Sequence, residues 1–123
     1  MRKIVIKTER IEVQAELNQT KTAELVWENL PLEGKANLWG EEIYFEIPVR
    51  AELENGSEVV NKGDIGYWPP GKAICLFFGP TPISQGEEIR AASPVSIIGK
   101  IIDQPEILKK VSNGEKIRIE KAK

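Results

Sequence analysis

Ile11, Val13, Ala15 and Leu17 alternate with Glu12, Gln14 and Glu16, the period of a strand with one face buried. Ile4 to Lys7 predicts a strand before it. Asn18 or Thr20 then offers a side-chain oxygen suited to a helix cap, and Ala23, Val26, Trp27 and Leu30 recur at helical spacing until Pro31 stops the run. Gly34 opens a β segment. In the next strand Ile43, Phe45, Ile47 and Val49 form one face, and Tyr44, Glu46 and Arg50 the other.

Asn55-Gly56 is a tight-turn signal. Tyr67-Trp68-Pro69-Pro70-Gly71 predicts a bend or loop, because its prolines lack backbone donors and Gly71 permits positive φ. Lys72 to Phe78 is a continuous apolar strand, ended by Gly79-Pro80-Thr81-Pro82. A polar loop leads to a strand from Val95 to Ile102, a short helix from about Gln104 to Val111 and the turn Ser112-Asn113-Gly114. A last strand follows, with Ile117 and Ile119 on one face. Many short strands with one early and one late helix predict a mainly β sandwich or barrel plugged by helices. The pattern alone does not say which.

Composition narrows the chemistry. The chain of 123 residues is read as one domain spanning 1–123. Net charge is −2 with both signs dispersed, so no basic stripe for nucleic acid is present. No apolar run approaches the roughly 20 residues of a membrane helix, and the short apolar stretch after Met1-Arg2-Lys3 is not a signal peptide. A cytoplasmic protein without nucleic acid or membrane partners is expected. Acidic residues are nearly all glutamate, Asp64 and Asp103 being the only aspartates, which with the lysine and isoleucine content resembles a thermophile's composition.

There is no histidine, so Ser-His-Asp and Cys-His catalysis are excluded. A zinc site would need carboxylates and one cysteine, and no metal or cofactor is expected. Cys75, alone in an apolar strand, reads as a buried core thiol. Glu42 and Glu46 are four apart on one strand face, roughly 13 Å along the chain and too far for a carboxylate dyad; they read as a solvated charged face. Trp27 and Trp39 read as structural.

Four segments carry a family resemblance. Lys21-Thr22-Ala23-Glu24-Leu25-Val26-Trp27-Glu28-Asn29-Leu30, Leu76-Phe77-Phe78, Val95-Ser96-Ile97-Ile98-Gly99-Lys100-Ile101 and Lys116-Ile117-Arg118-Ile119 resemble, in order, motifs of the cyclophilins, the peptidyl-prolyl cis-trans isomerases. Leu38-Trp39-Gly40-Glu41-Glu42-Ile43-Tyr44-Phe45, Gly63 to Gly71 and Phe77-Phe78-Gly79-Pro80-Thr81-Pro82 further resemble a small prokaryotic branch of cyclophilin-like proteins of unassigned function. The resemblance implies a closed eight-stranded β-barrel capped by two short helices.

It also permits a residue-by-residue test of activity. Prolyl isomerisation crosses a barrier of about 18–20 kcal/mol set by amide resonance, and cyclophilins use an arginine to stabilise the twisted amide. Laying Tyr44-Phe45-Glu46 on their Phe-His-Arg strand puts Glu46 where the arginine belongs, with the wrong charge. The pocket histidine falls on Val95 and the tryptophan near Arg90, while Phe78 keeps a pocket aromatic. Arg50, four residues beyond Glu46, is the one candidate for a displaced catalytic guanidinium.

Tyr44, Glu46, Tyr67, Trp68, Phe78 and Arg90 are therefore the candidate binding residues of an outer groove. The favoured expectation is a module that binds a proline-containing peptide or small molecule without efficient isomerase activity. The alternatives are a divergent isomerase using Arg50, and a homodimer formed through the aromatics around Trp68.

Overall fold

The computed structural model describes residues 2–123. Strands β1 (Arg2–Lys7) and β2 (Glu12–Leu17) form a hairpin, followed by helix α1 (Lys21–Glu28). Thr20 caps α1 by accepting a hydrogen bond from Ala23 N at 3.2 Å, which satisfies a donor left free at a helix start. The chain continues through β3 (Leu32–Lys35), β4 (Asn37–Leu38), β5 (Glu42–Glu46), β6 (Ser57–Val60), β7 (Asp64–Trp68), β8 (Ala73–Phe77), β9 (Ile89–Ile101) and β10 (Lys116–Lys121).

The protein is mainly β, with every strand pairing antiparallel. The ladder runs β3-β10-β1-β2-β9-β7-β8-β5-β4, with β6 attached to β9. These are ten strands rather than the eight expected, and the path is open at β3 and β4 instead of closed. The two ends are consecutive in the chain: β3 pairs with β10 and β4 with β5. Between them Ala36 donates to Glu115 O and accepts from Gly114 N beside β10, so the sheet's ends are joined by the chain itself and not by a ladder.

The short second helix lies where expected, as a 3-10 helix over Pro105–Lys110. Three other expectations need correction. Tyr67 and Trp68 belong to β7, and only Pro69–Gly71 turn. The left-handed residue there is Lys72, at φ 47°, and not Gly71. Finally, β9 begins at Ile89 inside the expected polar loop. No helix among the described residues is long and apolar enough to cross a membrane.

Two cores lie on opposite faces of the sheet. Ile4, Ile6, Val13, Ala15, Phe45, Ile65, Tyr67, Ile74, Leu76, Ile98, Ile117 and Ile119 fill the inner one. Val60, Cys75, Phe77, Ile89, Ala91 and Val95 form the outer one, with Tyr44 and Trp68 packed against it. This explains β8, whose five residues are all buried. Ile74 and Leu76 face inward while Cys75 and Phe77 face outward, so both sides of the strand need apolar side chains.

Candidate functional site

The outer core is incomplete, and the gap is a cavity of about 230 Å³ lined by Trp39, Glu42, Tyr44, Trp68, Cys75, Ala91, Ala92 and Val95. Strand alternation builds its floor. In β5, Glu42 and Tyr44 share a face and stand opposite Phe77 and Cys75 of β8. In β7, Trp68 stands opposite Ala73. The first half of β9 contributes Ala91, Ala92 and Val95 as a wall of small side chains.

Two of the three aromatics are fixed by hydrogen bonds. Trp39 enters from a turn in which its N donates to Glu42 O at 2.9 Å and Glu42 N donates to Trp39 O at 3.2 Å. Gly40 makes that turn at φ 60°, where a residue with a Cβ would be strained. The Trp68 indole Nε1 donates to Ser93 Oγ at 2.6 Å. A Cβ on Gly71 would lie 2.7 Å from the Trp68 ring, so glycine there lets the loop fold against the indole.

Glu42 is the polar centre of this apolar setting. It is 5% exposed, and its Oε1 has no hydrogen-bond partner among the described residues. The Cys75 thiol is set against the carboxyl, but a thiol is a weak donor. Burial pushes the Glu42 pKa up from 4.5 to about 7, and the thiol offsets only part of that rise. Cys75 is pushed well above the ordinary thiol range, first by burial and then by the Glu42 charge. It therefore stays a protonated thiol and not a nucleophile.

The candidate residues divide. Tyr44 and Trp68 meet at this cavity. Tyr67 does not: adjacent residues of a strand face opposite ways, and its side chain is fully buried in the inner core. There its hydroxyl donates to Val49 O at 2.6 Å and accepts from Ala51 N at 3.3 Å. Phe78 is likewise an inner-core residue, 3% exposed. Glu46 points to solvent, with Lys72 Nζ 4.0 Å from its carboxylate, an exposed ion pair of little energetic weight.

Arg90 is engaged by Glu88 at 2.7 Å and Glu58 at 3.5 Å, and it does not line the cavity. Arg50 lies in a separate surface groove beside α1, with Lys21, Thr22, Leu25 and residues 51–55. Sequence reasoning missed Trp39 and Glu42. The signal for both was the Trp39-Gly40-Glu41-Glu42 turn, which puts the indole and the carboxyl opposite one another.

A family model described as Cyclophilin-like matches residues 2–120. The hypothetical protein AF2241 from Archaeoglobus fulgidus, known from a solution structure, is similar at 43% identity and a TM-score of 0.83, over 98% of this chain and 95% of that one. McbB, solved in complex with tryptophan, is similar in fold at 16% identity and a TM-score of 0.74, over 96% of this chain and 44% of its own. No curated protein matches the chain in sequence. With nearly its whole length matched, the chain belongs to the Cyclophilin-like family.

Proposed function

We propose that the protein is a small-molecule binding module whose ligand sits in the outer cavity, and that it lacks efficient prolyl isomerase activity. One observation carries the reading: a buried carboxyl with Oε1 unpartnered, held among Trp39, Tyr44 and Trp68. Buried polar atoms are normally paired, and leaving one unpaired costs about 1–3 kcal/mol. A ligand that completes the pairing recovers that cost.

Volume supports one compact ligand. The cavity's 230 Å³ lies below the roughly 300–1,000 Å³ of drug-sized sites and above an apolar cavity of about 150 Å³ that takes benzene. A proline-containing peptide would have to enter by one ring alone. Against isomerisation stand Glu46, acidic where the cyclophilin pattern has arginine, and Arg50, which lines a different groove.

Calorimetric titration with single-ring and indole compounds tests the reading, with free tryptophan included because McbB holds it. Saturable binding that is lost in Trp68→Ala is the expected result. Binding indifferent to that substitution, or no binding at millimolar concentration, would overturn it. Self-association in sedimentation that disappears in Trp68→Ala would favour a homodimer contact instead.

A further inference from the structure

Resting on that reading, the residues around the cavity also specify the charge of its occupant. Glu42 is the one carboxyl in the lining, and no lining residue is cationic. Tyr44 and Cys75 are the other titratable groups there, and neither can carry positive charge. The charged groups on the elements packed around it do not line it either: Arg90 on β9 is paired with Glu88 and Glu58, Lys100 lies near the far end of β9, Asp64 on β7 accepts from Asn61 N at 2.8 Å, Glu46 on β5 is exposed beside Lys72, Glu41 in the turn is paired with Lys109, and Glu58 is on β6. Once ionised, Glu42 has no counter-charge inside the cavity.

The three aromatics add to the same preference. The faces of Trp39, Tyr44 and Trp68 carry negative quadrupole potential, which attracts cations and disfavours anions. Carboxylate and rings thus act with one sign. The orphaned Oε1 calls for a hydrogen-bond donor, which a primary ammonium supplies together with its charge and a quaternary one lacks. Ala91, Ala92 and Val95 leave an apolar side against which a ring or short hydrocarbon would pack.

We infer that the cavity takes a small organic cation: a primary ammonium on an apolar body about the size of one aromatic ring, donating to Glu42 Oε1. Glu42 and the ligand then bear opposite charges between about pH 7, where the buried carboxyl ionises, and about pH 10, where an alkylammonium loses its proton. A neutral ligand that accepted a hydrogen bond from protonated Glu42 would show the reverse dependence, binding best in acid.

The test compares three isosteres by calorimetry on the intact protein: phenethylammonium, 2-phenylethanol and 3-phenylpropionate. At about pH 8 phenethylammonium should bind at least about tenfold more tightly than the alcohol, and the propionate should bind most weakly. The preference for ammonium over alcohol should shrink about tenfold at about pH 5.5, where Glu42 is mostly protonated. Glu42→Gln should abolish the preference while leaving the circular dichroism spectrum unchanged.

Should Glu42→Gln fail to fold, the pH dependence in the native protein decides alone. If the alcohol or the propionate binds as tightly as the ammonium, and Trp68→Ala abolishes that binding, the charge assignment is wrong and the binding module stands. If none of the three binds, and no compound of the wider panel does, both fall together.

Discussion

Trp39 and Glu42 face each other as a hydrogen-bonded pair across the turn that opens β5, exchanging both backbone hydrogen bonds at 2.9 and 3.2 Å. The turn is clamped from its far side, where Glu41 N donates to Pro80 O at 2.9 Å and Phe78 N donates to Glu41 O at 3.0 Å. A carboxyl is thereby fixed among apolar side chains, only 5% exposed, at a cost to the fold that depends on pH.

That cost gives the first prediction. The folded state raises the Glu42 pKa from 4.5 to about 7, so it favours the protonated form. The associated stability is fully present below about pH 4.5 and is lost as pH rises through about 7. Glutamine stays neutral and escapes the loss. In chemical denaturation, Glu42→Gln should match the native protein below about pH 4.5 and exceed it above about pH 7, by up to about 3 kcal/mol. A stability difference that stays flat from acid to alkaline pH would contradict the burial argument.

Tyr67 provides a contrast between core and cavity. Its hydroxyl bonds Val49 O and Ala51 N in the inner core, away from the ligand face. Tyr67→Phe should cost about 1–2 kcal/mol of stability in urea denaturation and leave ligand affinity within twofold of the native value. A large loss of affinity would show that the two faces of β7 are coupled.

At Gly71 the effect should run the other way. A methyl group there would meet the Trp68 ring at 2.7 Å, an overlap that rotation of the rigid indole relieves. Gly71→Ala should lower ligand affinity about tenfold or more, with a shift in tryptophan emission. Unaltered emission and affinity would mean that the loop, and not the ring, moves aside.

The expected absence of isomerase activity is checked with a protease-coupled assay on a proline tetrapeptide. No acceleration should appear at high protein concentration, and Arg50→Ala should change nothing. Acceleration abolished by Arg50→Ala would restore the alternative in which a displaced guanidinium catalyses from the α1 groove.

Much of the framework is legible in the alternation of single strands. Ile4 and Ile6, Val13, Ala15 and Leu17, and Ile117 and Ile119 are all buried because a two-residue period leaves one assignment of faces. The site was harder to read. In β5 the same alternation puts Glu42 and Glu46 together on the outward side, and outward ordinarily means solvent. The difference lies in their surroundings: Glu42 shares the outer cavity with Trp39, Trp68, Cys75 and the first half of β9, whereas Glu46 is exposed beside Lys72. That half of β9 includes Ala91-Ala92-Ser93-Pro94, small residues with no period to announce a strand.

Tyr67 and Trp68 were separable in principle. Once Asp64–Trp68 is a strand, neighbouring aromatics must take opposite faces, and the following prolines concealed this by suggesting a loop. Phe78 follows the same parity, inward after Ile74 and Leu76. The cyclophilin pattern gives it a place along the chain but says nothing of which face it serves here.

The bent segment around Ala36 has a consequence for how the protein is made. β10 lies between β1 and β3, yet the ribosome produces it after all nine other strands described here. Until it emerges, Leu32 to Lys35 and the first strand lack their shared neighbour, and the inner core stays uncovered along that seam. Contacts so distant in sequence form slowly, which makes closure of that seam a late step of folding.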